Sequence, residues 1–420
     1  MAHSTPGCQV ESFRSICLSG LARDSTYLST EEPTVPNNAG NAKTSMDRPV
    51  IAITAGDVAG IGPEVILRAC LGSKSTAFCT PVLVGHPQVF REAAGLIGHE
   101  LRLVEIPSES VTAGSLRHQA RVACLQHQVP CLNPCGDAVL SAPRGCVSAA
   151  AGEAAFQYLI SAIQLAKNGD VDAIVTAPLN KESLHLSGHH FPGHTEILAE
   201  YCGVRDFAMM LHLPETSLAP WRSMIRKSSE ATSNLYDAHD GLSIAHVTLH
   251  TSIESVPQLL SATGVSEKIR LMSDFLSRIK CRRRAVAVCA LNPHAGENGL
   301  FGNEEAGIIK PAVAECVAAQ LNVCGPLPVD TLIRRAIMGE FDGVVAMYHD
   351  QGHIPVKLIG FDSAINITLG LPILRTSPTH GTAFDRAWNP VTPSDSNGMF
   401  EAIRMAVLLA EEKHFSLNDV

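Results

Sequence analysis

The sequence predicts an α/β protein, a largely parallel sheet flanked by helices. Two observations carry this. Short apolar runs alternate with stretches of helical period, as in Val171-Asp172-Ala173-Ile174-Val175 after the periodic residues 154–166. The runs then open into polar loops bearing Gly or Pro, the pattern of strand, helix, strand units whose crossovers cover the faces of a parallel sheet. The strand candidates, in order, are Val50-Ile51-Ala52-Ile53-Thr54, residues 171–175, 245–249, 285–291 and 343–347.

Residues 1–45, rich in Ser, Thr, Pro and Asn and without a sustained period, are expected to be a disordered extension. Met46, directly before the first strand candidate, is an alternative start. A transit peptide is the competing reading, and Glu11, Asp24, Glu31 and Glu32 speak against it. The loop Gly56-Asp57-Val58-Ala59-Gly60-Ile61-Gly62-Pro63-Glu64 leads from strand to helix with Pro63 at an early helical position; it lacks the GxGxxG spacing of a dinucleotide loop. Residues 215–240, with Trp221, Arg222, Arg226, Lys227 and a Ser/Thr cluster, show neither period nor turn pattern and read as an insertion.

The chain of 420 residues is 45% hydrophobic, enough for one large core or two lobes. A net charge of -9 gives no basic field for nucleic acid, so an anionic substrate must be held by local cations. The 13 cysteines form no CxxC pair and fit reduced thiols of a cytoplasmic protein. No apolar run approaches the roughly 20 residues that span a bilayer, so no membrane partner is expected.

Three histidines follow three of the strand candidates: His250, His294 within Asn292-Pro293-His294-Ala295-Gly296-Glu297, and His349 within Tyr348-His349-Asp350-Gln351-Gly352. Ligands of open α/β sheets bind beyond the carboxyl ends of strands, and neutral imidazoles suit Zn²⁺ and similar ions. With 18 histidines in the chain, a single one is more often a surface or core residue than a ligand; shared position in Gly/Pro loops raises these three, whereas His239, His246 and His353 lack it. Lys357, Asn366 and Arg375, in a segment otherwise apolar, supply a point charge, an amide and a planar fork for an anion.

These segments, together with residues 53–64, Pro192-Gly193-His194-Thr195-Glu196, Gly325-Pro326-Leu327-Pro328-Val329-Asp330-Thr331 and residues 366–381, resemble the motifs of the 4-hydroxythreonine-4-phosphate dehydrogenase (PdxA) family, from about Arg48 almost to the C-terminus. The resemblance implies a two-lobed α/β/α fold like that of isocitrate and isopropylmalate dehydrogenases, with lobes of about residues 46–185 plus 365–420 and 186–364 and the active site in the cleft between them. It implies NAD as cofactor, with the adenosine near His380, Gly381 and Thr382, and a divalent metal (Zn, Mg, Mn or Co) on His250, His294 and His349. His194, Thr195, Lys357, Asn366 and Arg375 would contact substrate, Asp330 and Asp350 would be supporting acids, and Lys357 or a metal-bound water would be the base. A homodimer with a shared active site is implied as well. The wording Gln351-Gly352-His353-Ile354-Pro355-Val356-Lys357 is closer to the relatives acting on 4-phospho-threonate and 4-phospho-erythronate than to the vitamin branch. The expected reaction is oxidation and decarboxylation of a small phosphorylated hydroxy acid. The alternatives are a cis-dihydrodiol carboxylate dehydrogenase of the same family, a metal-dependent lyase or hydrolase without NAD, and an inactive homologue. Departures from the family pattern are Ala55 and Val58 where proline is common, Thr379 in place of Asp, and Ala387-Trp388 in place of Ala-Gly.

Overall fold

The computed structural model describes residues 48–71, 78–108, 111, 114–228 and 241–417. The expectations for residues 1–45 and for 229–240 lie outside them.

Among the described residues twelve strands form one sheet: β1 Val50–Thr54, β2 Thr80–Val84, β3 Leu103–Ile106, β4 Val129–Leu132, β5 Ala173–Thr176, β6 Ala208–Pro214, β7 Gly241–His246, β8 Val286–Cys289, β9 Val323–Leu327, β10 Gly343–Ala346, β11 Ile365–Leu369 and β12 Arg375–Pro378. Their order is β3-β4-β2-β1-β5-β12-β11-β6-β7-β10-β8-β9. The outer pairings are parallel, as the strand, helix, strand units require. The centre is not: β12 with β11, β11 with β6 and β6 with β7 are antiparallel. Strand direction therefore reverses in the middle of the sheet.

Alternation along the strands makes the fold three-layered. In β10, Val345 joins one apolar cluster and Val344 and Ala346 the other; in β8, Val288 and Ala287 divide likewise. The Ala262–Arg278 helix covers the first face with Ile269, Met272 and Phe275. Leu332 of the Val329–Ile337 helix and Val356 of the His349–Gly360 helix cover the second.

Two expectations need correction. The strands after β6 end earlier than their apolar runs suggest: Val247 to Leu249, Ala290 to Leu291 and Met347 are loop, so the histidines stand several residues beyond the last paired residue. And the first half of the unpatterned segment is the helix Glu215–Ser228, with Pro220 inside it. Its buried face is mixed, which hides the period: Leu218 packs in the second cluster with Trp221 against it, while Arg222, also buried, is satisfied by Glu215 and by the Ile337 carbonyl at 2.6 Å.

Candidate active site

The site lies where strand direction reverses. Arg375 opens β12, Asn366 on β11 stands in register with Ser377 of β12 and Leu211 of β6, and Thr176 closes β5. These side chains floor a cavity of about 240 Å³ whose walls include His194, Thr195, His250, Lys357, His380 and Gly381. Nearly all the residues expected to touch substrate therefore meet in one place. Thr382, expected beside them, instead meets the opening loop, where Ile61 N–H donates to its carbonyl at 3.0 Å.

Arg375 is 2% exposed. Its guanidinium donates to the Thr176 hydroxyl at 2.7 and 3.2 Å and to the Thr368 hydroxyl at 3.2 Å. Among the described residues no carboxylate is hydrogen-bonded to it. Burial pulls it down to about 9, with Glu196 acting in the opposite sense, so it stays charged at neutral pH. Asn366 Oδ1 and His380 Nε2 are buried without a partner among the described residues. Lys357 donates to the carbonyl and hydroxyl of Thr379, at 3.1 and 3.2 Å, and lies 4.7 Å over the Phe361 ring; burial lowers its ammonium from the usual value. Burial, then the Arg375 charge, holds His194 well below the ordinary imidazole range. A buried cation satisfied only by hydroxyls is arranged for an anion arriving from outside, and the amide oxygen of Asn366 beside it can accept from a substrate hydroxyl.

The helix His349–Gly360 carries His349, His353 and Lys357 at four-residue spacing on one face. The His353 ring stacks on His349 with centroids 3.6 Å apart, and His250 stands 6.0 Å from His349. Gly352 is required here, since a Cβ would lie 2.3 Å from Nε2 of the buried His246. Asp350 Oδ1 is 2.7 Å from His349 Nδ1, the second-sphere contact that fixes a ligating imidazole and frees its other nitrogen. An imidazole bound at about 2.1 Å centres its ring roughly 3.2 Å from the ion, so two rings sharing one stand at most about 6.4 Å apart. His250 and His349 fall just inside that span.

His294 does not join them. It begins a run of left-handed backbone, His294 to Asn298, with φ between 42 and 76°. The run is held in place by Glu305, which accepts from the N–H groups of Leu291 and Asn292 at 2.9 and 2.8 Å. This turns His294 into a second cavity on the other side of the His349–Gly360 helix, shared with Asp330, Asp350 and Tyr348. Among the described residues of one chain no group of three or more His, Cys, Asp or Glu side chains is placed to hold a metal, so the expected triad does not close within a single copy.

The chain matches the family model described as pyridoxal phosphate biosynthetic protein PdxA over residues 77–406. It belongs to that family. D-threonate 4-phosphate dehydrogenase of Salmonella typhimurium is 39% identical, covering 87% of this chain and 100% of its own. A 4-hydroxythreonine-4-phosphate dehydrogenase of Trichlorobacter lovleyi is 38% identical, covering 86% and 98%. The crystal structure of 4-hydroxythreonine-4-phosphate dehydrogenase from Klebsiella pneumoniae superimposes with a TM-score of 0.67 at 38% identity, covering 86% and 99%. These relatives are named as dehydrogenases of phosphorylated hydroxy acids, and the chain shares their α/β fold.

Two family departures touch one another. Trp388, at φ 59° where glycine is usual, donates its indole N–H to the Val58 carbonyl at 3.0 Å, and Arg144 stacks 4.3 Å over the indole. Trp388 thus ties the opening loop from outside, beside the loop's own bond from Ala59 N–H to Asp57. Sequence reasoning passed over three cavity residues, Lys181, Glu196 and His353. For His353 the signal was available as the four-residue spacing from His349; Lys181 and Glu196 sit in short helices whose approach to the cavity is tertiary. Among the described residues no helix is long and apolar enough to cross a membrane, and the described cysteines are free.

Proposed function

We propose that the protein oxidises, with NAD, and then decarboxylates a 4-phosphorylated 3-hydroxy acid, with D-threonate 4-phosphate the favoured substrate. The observation that carries this is Arg375: a buried guanidinium facing the cavity with only hydroxyl partners, next to Lys357 and Asn366. A cis-dihydrodiol carboxylate offers that charge a carboxylate but no phosphate, and the preference for a phosphorylated acid rests on the relatives named for one. D-threonate 4-phosphate, like the relative named for it, offers both a phosphate and a carboxylate.

His250 and His349 would hold a divalent ion, and the third ligand, His294, would come from a second copy of the chain, consistent with its lying in a separate cavity with Asp330. When bound, such an ion polarises the hydroxyl being oxidised and steadies the enolate left by loss of CO₂. The chain's own side chains do the rest. Asp350 orients His349; Lys357, donating to Thr379 and lining the same cavity, stands with Arg375 as a cation for the substrate anion. Arg375 and Asn366 fix the anion. His380 and Gly381, at the mouth of the same cavity, would receive the cofactor.

The test is NADH formation at 340 nm by metal-loaded protein offered 4-phospho-D-threonate, 4-phospho-D-erythronate and 4-hydroxythreonine-4-phosphate, with His294→Ala as control. Turnover that disappears in the control, together with loss of bound metal, supports the reading. Silence on all three with metal retained would favour a lyase, a hydrolase or an inactive homologue.

A further inference from the structure

We propose that the cavity grips its substrate between two cationic ends, Lys181 receiving the carboxylate while Lys357, Asn366 and Arg375 receive the phosphate. The assignment rests on the phosphorylated hydroxy-acid reading above and adds a specificity residue to it.

A hydroxy acid phosphorylated at its far end carries one anion at each terminus of a short chain, so one cluster of cations cannot serve both. The cavity offers two. Lys357 enters from the helix after β10, in the half of the sheet beyond the reversal, and its ammonium is already positioned by Thr379 and the Phe361 ring. Lys181 enters from the opposite half, in the loop and short helix that follow β5, where Asn180 caps the chain by accepting from Ser183 N–H at 2.8 Å. Its aliphatic stem passes Gly193, whose missing side chain leaves that wall bare: a Cβ there would lie 4.0 Å from Lys181 Cε.

The ammonium of Lys181 makes no hydrogen bond or ion pair among the described residues, although it lines the same cavity as a carboxylate. That carboxylate, Glu196, lies on the same side, its Oε2 3.5 Å from where a Gly193 Cβ would stand, and its charge also supports Arg375. Lys181 and His250 line the same cavity. A substrate carboxylate placed on Lys181 therefore sets the adjoining carbons against the His250 side of the cavity, away from the phosphate end. A solvated surface lysine, the ordinary reading of an exposed ammonium, has no reason to point into a cavity beside an imidazole and remain unpaired.

Calorimetric titration of the full-length protein with two probes, inorganic phosphate and unphosphorylated D-threonate, separates the ends. Lys181→Met is expected to weaken D-threonate roughly ten-fold or more, the loss of one charge-assisted contact, and to leave phosphate within about two-fold. Lys357→Met is expected to do the reverse, and Lys181→Arg to restore most of the D-threonate affinity. In turnover, Lys181→Met should raise KM for the phosphorylated acid with little change in kcat. Unchanged D-threonate binding in Lys181→Met, or equal loss of both probes, overturns the assignment while leaving the phosphate site standing. Absence of phosphate binding in the unmodified protein overturns both.

Discussion

Replacing Arg375 by Met should weaken phosphate binding and strengthen the fold. The guanidinium is 2% exposed and its hydrogen bonds go to two hydroxyls, Thr176 and Thr368. Burial pulls it down to about 9, so keeping it charged costs roughly 5 kcal/mol as an upper figure. Removing one partner of a buried charge pair costs about 2 to 4 kcal/mol of binding, roughly 30- to 1,000-fold in affinity. Replacing a poorly compensated buried charge by an apolar chain of similar length commonly stabilises by about 1 to 3 kcal/mol. Inorganic phosphate titration gives the first number and urea unfolding the second. Arg375→Met binding phosphate as well as the unmodified protein would refute the anion-site argument; a marked loss of stability would show that the guanidinium is a structural strut.

Gly352→Ala should destabilise by about 1 to 3 kcal/mol, because its Cβ would meet His246 Nε2 at 2.3 Å and the backbone carrying His349 and His353 would have to shift; thermal unfolding measures it. Trp388→Phe should cost about 1 kcal/mol through loss of the indole hydrogen bond to Val58, whereas Trp388→Gly should recover part of the cost by relieving the positive φ; urea midpoints for the two variants decide. For pH, His246 is lowered from 6.5 to about 3 by burial and by its neighbour His353. The unfolded chain therefore binds a proton that the folded one refuses, and stability is lost as pH falls from the unfolded value of 6.5 towards the folded one near 3. At pH 5 this one group should account for about 2 kcal/mol. A His246→Leu variant whose stability falls as steeply between pH 7 and 5 would contradict the assignment.

How much of this was legible beforehand depended on whether a feature is local. β1 was read residue for residue because Val50 to Thr54 is a continuous buried run. Lys357, Asn366 and Arg375 were placed together because they sit on successive elements, the His349–Gly360 helix, β11 and β12. The antiparallel centre escaped where it pairs β6 with β11, more than 150 positions apart in the chain, although Gly370 and Pro372 mark the short connection from β11 to β12. The Glu215–Ser228 helix escaped because an ion-paired Arg222 stands on its buried face. Of the three histidines that follow strand candidates, His250 and His349 stand near one another, while the left-handed backbone after Pro293 turns His294 into a separate cavity. No property of Asn292-Pro293-His294 in isolation reveals that direction.

The most direct measurement is the ratio of kcat/KM for 4-phospho-D-threonate to that for unphosphorylated D-threonate, read as NADH formation in the metal-loaded protein. The Arg375, Asn366 and Lys357 site predicts a preference of at least about 100-fold for the phosphorylated acid, collapsing in Arg375→Met. Equal rates with the two acids, or a preference untouched by that substitution, would contradict the assignment of the cavity to a phosphorylated substrate.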